Sequence, residues 1–123
     1  MRVIIAGSRT GVPSALVEKC VQGVVKDNPG VTVVTGGARG VDTIAHSCAV
    51  SLGVTTEVFP AKWDLYGKSA GFLRNVEMAE AGADICYCIY SGRRTPGTMN
   101  MARVARERGI RVIELGLENV TPP

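Results

Sequence analysis

The chain has 123 residues, 46% of them hydrophobic, and a formal net charge of +3 at pH 7. This size and apolar content fit one compact domain over residues 1–123, with one core. No run of eighteen or more uncharged apolar residues is present, and Met1-Arg2-Val3 leads into a strand rather than a signal peptide. We therefore expect a cytoplasmic protein with no membrane partner. The modest charge does not establish a nucleic-acid partner, because the arginines are dispersed among acidic residues.

The chain order of strand-like and helix-like segments predicts the fold class. Short apolar runs predict strands at residues 3–6, 31–34, 55–59, 84–90 and 112–115. Apolar residues at helical spacing lie between them, for example over residues 16–25 and 44–52. Alternating strands and helices favour a parallel sheet covered on both faces. We predict an α/β fold, a Rossmann-like three-layer α/β/α sandwich with a mainly parallel five-stranded sheet.

The cysteines and the single histidine do not follow a metal-binding pattern. Cys86 and Cys88 form a C-x-C pair within a predicted strand, and His46 is far from them in sequence. We expect Cys20, Cys48, Cys86 and Cys88 to be free, buried thiols. The sequence gives no indication of a metal or another cofactor.

Two glycine-containing loops follow predicted strands and precede predicted helices, at residues 35–42 and 91–98. The start of a helix leaves backbone N–H groups free, and glycine allows a phosphate to approach them closely. Ligands of such sheets bind beyond the carboxyl ends of the strands. The two loops therefore predict one phosphate-bearing ligand held between them. The alternative is that the first loop needs glycine only for a tight strand-to-helix turn.

The candidate ligand-binding residues lie in or beside the loops at these strand ends. Arginine there can hold a phosphate through two parallel hydrogen bonds. Of the adjacent Arg93 and Arg94, we expect one to point inward, and we assign Arg94. The candidates are Gly7, Ser8, Arg9, Gly36, Gly37, Ala38, Arg39, Asp42, Trp63, Lys68, Arg74, Asn75, Ser91, Gly92, Arg94, Gly97 and Thr98.

Several candidates have an alternative role. Asp42 either caps the helix that follows the first glycine loop or binds a ligand hydroxyl. Residues 61–71 lack clear periodicity; within them, Trp63 or Tyr66 either stacks on a base or anchors a long loop to the core. Lys68 either reaches a phosphate or faces water.

In combination, these motifs resemble a known family. The matching segments are Gly7-Ser8-Arg9, residues 36–42 with Ala45-His46, Phe59-Pro60-Ala61, Trp63, Tyr66-Gly67-Lys68, Ala70-Gly71, Arg74-Asn75, Met78 and Gly97-Thr98. They resemble the YspA/YpsA-related branch of the SLOG superfamily, which also includes phosphoribohydrolases and the DNA-processing protein DprA. The resemblance implies a Rossmann-like domain that binds a nucleotide-derived ligand, ADP-ribose-like, nucleotide-sugar or cyclic, as a sensor or sequestering module. It places the phosphate at Gly36, Gly37, Gly97 and Thr98, with Arg9, Arg39 and Arg74 nearby.

The hydrolase relatives carry the motif P-G-G-x-G-T-x-x-E, whose glutamate is catalytic. In this chain Met101 stands at that position, and a thioether cannot transfer the proton that base release requires. Glu77 and Asp64 are the remaining carboxylate candidates near the site. We favour binding over the alternative, a nucleoside 5'-monophosphate phosphoribohydrolase or N-glycosidase. A third hypothesis is DprA-like binding of single-stranded nucleic acid, which is suggested by the partial resemblance of residues 37–49 to DprA.

A chain of this size often pairs with a copy of itself, so we expect a homodimer or higher homo-oligomer. Met99, Met101, Ala102 and Ala105 provide either a pairing face or, as their helical spacing favours, ordinary core. On the ligand-binding hypothesis, Arg74→Ala and Gly37→Val each weaken nucleotide binding and leave the protein folded.

Overall fold

The computed structural model describes residues 1–92 and 94–116, and five strands form one sheet in it. The order across the sheet is β3-β2-β1-β4-β5, and every neighbouring pair is parallel. The predicted α/β fold with a parallel five-stranded sheet is confirmed, with each strand end within one residue of its expected position. The strands are β1 Arg2–Gly7, β2 Thr32–Thr35, β3 Thr55–Val58, β4 Ile85–Tyr90 and β5 Arg111–Gly116.

Helices connect the strands. They are α1 Ser14–Asp27, α2 Val41–Ser51, α3 Trp63–Tyr66, α4 Ala70–Ala81 and α5 Pro96–Glu107, with a 3-10 turn at Gly67–Ser69. The segment without clear periodicity is therefore largely helical, contrary to its assignment as a long loop. A helix of four residues is too short to show a repeating apolar pattern, which explains why the sequence did not reveal it.

The sheet has one core on each face, as a three-layer sandwich requires. Along β1, Ile4 and Ala6 pack with the buried side chains of α4 and α5, whereas Val3 and Ile5 pack with those of α1 and α2. Both faces of the strand are buried, which is why its sequence is continuously apolar rather than alternating.

The apolar side chains of α5 belong mainly to the core on the face of the sheet that Ile4 and Ala6 share with α4 and α5. Met101, Ala102 and Ala105 are buried, which confirms the core interpretation, while 47% of Met99 is exposed. All four cysteines are free, but only Cys86 and Cys88 are fully buried; Cys20 and Cys48 are half-buried. Among residues 1–92 and 94–116, no group of three or more His, Cys, Asp or Glu side chains is placed to hold a metal ion.

The strand order reverses between β1 and β4, and this reversal positions the site. The chain leaves β1 toward β2 on one side and returns after β3 to β4 on the other. The ends of the two strands are joined by hydrogen bonds from Ser8 N to the Ile89 carbonyl oxygen, at 3.0 Å, and from Ser91 N to Ser8 Oγ, at 3.2 Å. A ligand crevice is expected at such a reversal. No helix in the described part of the chain is long and apolar enough to cross a membrane.

Candidate functional site

Two adjoining cavities lie beyond the carboxyl ends of the strands. The first, here the α5 cavity, has a volume of about 410 Å³ and contains the start of α5. The second, the glycine-loop cavity, has a volume of about 380 Å³. Predicted residues in the α5 cavity are Gly7, Ser8, Arg9, Ala38, Asp42, Trp63, Lys68, Arg74, Asn75, Ser91, Gly97 and Thr98. The glycine-loop cavity is lined by Arg9, Gly36, Gly37, Ala38, Arg39, Pro60, Ala61, Trp63 and Arg74.

The amino end of α5 opens onto the α5 cavity. Thr95, Pro96, Gly97 and Thr98 all line it. The N–H of Met99 donates to the Thr95 carbonyl oxygen at 2.9 Å, which is the first hydrogen bond of the helix. Gly97 and Thr98 precede that bond, and in the described part of the chain their N–H groups have no backbone acceptor. A helix start of this kind attracts an anion through its N–H groups and its dipole.

The first glycine loop uses several of its N–H groups within the protein. Asp42 Oδ2 accepts hydrogen bonds from Gly36 N at 2.9 Å and from Ala38 N at 3.5 Å. The N–H of Val41, at the start of α2, donates to the Ser8 carbonyl oxygen at 3.1 Å. These donors are therefore not available to a phosphate in the way that the sequence analysis expected.

Asp42 holds the loop instead of capping α2. Gly40 occupies the cap position, and no side chain among residues 1–92 and 94–116 caps this helix. The expectation that Asp42 accepts the free N–H groups at the start of the helix is wrong, because its carboxylate points back to the loop before the helix. Asp42 is also buried, and its hydrogen bonds to Gly36 and Ala38 tie the end of β2 to α2.

Burial dominates the ionisation of Asp42. It raises the pKa of the carboxyl to about 6, against the charge of Arg74 and the N–H donors of Gly36, Ala38 and Gly7, which lower it. An Asp pKa that is higher in the folded than in the unfolded chain makes ionisation costly to folding. The contribution of the Asp42 carboxyl to the stability of the fold is fully present below its unfolded pKa, near 4. It is lost as the pH rises through the folded pKa of about 6.

We expect Asp42→Asn to change the pH dependence of stability. Relative to the wild-type protein, the free energy of unfolding of the variant rises by roughly 2 kcal/mol between pH 4 and pH 7, because ionisation of the buried carboxyl destabilises only the wild type. Urea denaturation of both proteins across this range measures the difference. Parallel profiles would show that Asp42 ionises as easily in the folded chain as in the unfolded chain.

Arg74 is a buried connector between α4 and the loops. Its Nε donates to Asn75 Oδ1 at 3.0 Å, and its Nη1 donates to the carbonyl oxygens of Gly36 and, at 3.5 Å, Phe59. Asn75 Nδ2 in turn donates to the Gly97 carbonyl oxygen at 3.2 Å and to Asn100 Oδ1 at 2.9 Å. The guanidinium lines both cavities while its hydrogen bonds fix the first glycine loop.

Trp63 and Arg9 form an exposed pair that lines both cavities. Trp63 is 48% exposed, and the Arg9 guanidinium carbon lies 5.8 Å from the centroid of its ring. Tyr66 is 49% exposed. The alternative in which an aromatic residue anchors this segment to the core is therefore wrong. Lys68 is exposed and lines the α5 cavity.

The structure does not bring every predicted residue into the cavities. Gly92 and Arg94 line neither of them. Arg94 lies over the Tyr90 ring, 5.7 Å from its centroid, and its Nη2 is 3.7 Å from Glu114 Oε1, so the assignment of Arg94 as an inward-pointing residue is not supported. Arg93 lies outside the described residues.

The two carboxylates considered for catalysis are also outside the cavities. Asp64 and Glu77 are exposed and line neither one. In contrast, the α5 cavity includes residues that the sequence analysis did not select. Gly71 and Met78 stand in the segments that carry the family resemblance but were not assigned to the ligand, and no residue pattern marked Phe72. The residues missed in this cavity are Ala6, Thr10, Gly71, Phe72, Met78, Thr95, Pro96 and Met101.

Comparison with known proteins assigns the chain to a family. Residues 1–66 match the model of the YspA, cpYpsA-related SLOG family. The chain belongs to this SLOG family. It is also 41% identical over 121 residues to the Gene 61 protein of Mycobacterium phage D29, an alignment that covers 94% of this chain and 96% of that protein. The resemblance drawn from the sequence motifs is confirmed.

Solved structures of the DNA-processing protein A, DprA, have the same fold as this SLOG chain. DprA from Streptococcus pneumoniae superposes with a TM-score of 0.70 at 23% identity, over 92% of this chain and 49% of that one. DprA from Helicobacter pylori, described for its single-stranded DNA binding mode, gives a TM-score of 0.73 at 21% identity, over 93% and 64%. The chain thus spans about half to two thirds of these DprA chains, and at such identities the likeness concerns the fold.

Proposed function

We propose that the protein binds a nucleotide or nucleotide-derived, phosphate-bearing ligand and acts as a sensor or sequestering module. The observation that carries this proposal is the amino end of α5, which opens onto a cavity rather than onto protein. A phosphate placed there meets the N–H groups of Gly97 and Thr98. Arg9 and Lys68 line the same cavity and supply positive charge.

The rest of the α5 cavity suits the base and sugar of a nucleotide. Trp63 and Phe72 are each 48% exposed, and together with the buried Met78 and Met101 they give the cavity an apolar wall. An aromatic surface of this kind stacks on any base through its π face. A volume of about 410 Å³ is within the range of small-molecule sites.

The cavity chemistry favours binding over base release. Met101 stands where the hydrolase motif has glutamate, and it is buried against the cavity. Among the described lining residues, Asp42 is the one carboxylate, and one of its oxygens already accepts N–H groups of the first glycine loop. A general acid must reach the leaving base, and a carboxylate engaged with the backbone is poorly placed for that role.

Gly97→Val is the sharpest test of the phosphate position. A Cβ on Gly97 would meet no atom of the described residues within 4 Å, and Gly97 lines the cavity, so the variant keeps its fold while its side chain occupies ligand space. We expect affinity for AMP to fall by about a hundredfold, as lost charge-assisted hydrogen bonds and blocked access combine. Isothermal titration calorimetry measures the affinity, and thermal denaturation verifies the fold.

The control is Gly23→Val, because a Cβ on Gly23 also meets nothing within 4 Å in the described part of the chain but lies in α1, away from both cavities. It should bind AMP as the wild type does. Gly37→Val is a poorer test than the sequence analysis expected, since Gly37 has φ +71° and its Cβ would lie 2.9 Å from Val58 Cγ1. If Gly97→Val binds AMP with unchanged affinity, the phosphate does not occupy the start of α5.

Single-stranded nucleic acid is the second candidate ligand. It is favoured by the fold shared with DprA and by the exposed Arg9, Arg39 and Trp63 around the two cavities. Arginines along a groove and an aromatic platform are typical of proteins that bind single strands. Binding of this type would lose affinity steeply with added salt, whereas a site for one nucleotide would lose less.

A further inference from the structure

The α5 cavity and the glycine-loop cavity are two compartments of one crevice. Four residues line both cavities: Arg9, Ala38, Trp63 and Arg74. The two cavities therefore meet along a shared wall formed by these residues. Each compartment has a volume close to 400 Å³. One compartment is sufficient for a single nucleotide unit, which leaves the second without an occupant if the ligand is a mononucleotide.

We infer that the ligand has two units joined through phosphate, one in each compartment. This inference rests on the proposed function and extends it to the class of ligand. The first unit is the nucleotide at the start of α5. The second enters the glycine-loop cavity past the shared wall.

The chemistry of the glycine-loop cavity indicates what the second unit carries. Arg39 is exposed there, and no acidic residue is among the described residues that line the cavity. The exposed Gly37 brings the backbone to its surface, while Pro60 and Ala61 add small apolar contacts. The Arg39 guanidinium, next to the exposed backbone of Gly37, can bind the phosphate or the hydroxyl groups of a second sugar or nucleotide.

The shared wall supplies contacts for the link between the units. The Arg9 guanidinium lies 5.8 Å from the Trp63 ring centroid, and both side chains are exposed. A linking phosphate can pair with Arg9 while a base or sugar ring lies against the indole of Trp63. Arg74 adds positive charge from the buried side of the same wall.

The test compares ligands that have one and two units. Isothermal titration calorimetry of the full chain is performed with AMP, with ADP-ribose for a pyrophosphate link, and with cyclic di-AMP for a phosphodiester link. We expect one of the two-unit ligands to bind at least about tenfold more tightly than AMP, the gain from one or two charge-assisted hydrogen bonds. Arg39→Ala should remove most of that gain, so that it lowers the affinity for the two-unit ligand much more than the affinity for AMP.

Lys19→Ala is the matched control, since it removes one exposed positive charge from α1 and lines neither compartment. It should leave the affinities for all three ligands unchanged. Equal binding of AMP and both two-unit ligands would overturn the two-unit inference and preserve the proposed function. Failure of all three to bind would overturn both. Salt-sensitive binding of an oligodeoxynucleotide alone would replace the two-unit ligand with a single strand.

Discussion

Gly7→Ala should destabilise the protein by about 3 kcal/mol, although it adds one methyl group. A Cβ on Gly7 would overlap the carbonyl oxygen of Ile89 and would lie 2.7 Å and 2.9 Å from Val41 Cγ2 and Cβ. The Ile89 oxygen belongs to the strand paired with β1, and it also accepts the N–H of Ser8. Neither neighbour can move without separating β4 from β1 or displacing α2.

Gly23→Ala is the matched control for this substitution. Gly23 is exposed within α1, and a Cβ there meets no atom of the residues that the structure describes within 4 Å. Alanine is the better helix former, so this variant should be more stable by about 1 kcal/mol. Urea denaturation of the two variants should therefore give changes of opposite sign. A loss below about 1 kcal/mol for Gly7→Ala would mean that the junction of β1, β4 and α2 adapts easily.

The sequence was sufficient for the fold because the three central strands, β1, β2 and β4, are largely buried, whereas the edge strands β3 and β5 are partly exposed. Continuous apolar runs such as residues 3–6 and 31–34 arise only where helices cover the sheet, so the runs indicated a parallel sheet as well as the positions of strands. The same reasoning placed the crevice, since parallel strands bring their carboxyl ends to one edge. Ser8, Thr98 and Asn75 lie together there, although their sequence positions are far apart.

The roles of individual site residues were harder to predict, because they depend on contacts between distant segments. Gly36 was assigned to phosphate approach, but a Cβ at Gly36 would lie 2.6 Å from Cζ of Arg74, so glycine makes room for a buried guanidinium. Asp42 at a helix start usually caps it, whereas here the preceding loop folds back onto the carboxylate. Arg94 has an ion-pair partner in Glu114 on β5, which no local pattern could reveal.

The position of Arg74 changes what its removal should do. We expect Arg74→Met to destabilise the protein by about 4 kcal/mol at pH 7, instead of leaving it folded with weaker ligand binding. The variant loses the hydrogen bonds to Asn75 and to the Gly36 carbonyl oxygen. It also loses the nearby positive charge that lowers the pKa of buried Asp42. Urea denaturation measures the loss.

The pH dependence of this variant identifies the cause of the loss. Without Arg74, the pKa of Asp42 rises further above its unfolded value, so the carboxylate favours folding only when it is protonated. The stability deficit of Arg74→Met should therefore be largest at pH 8 and smaller at pH 5. Adding Asp42→Asn removes the buried charge, and the double variant should recover at least about 1 kcal/mol relative to the sum of the two single changes. Simple additivity, with no dependence on pH, would mean that Arg74 stabilises the fold through its hydrogen bonds and packing alone, and that Asp42 ionises independently of it.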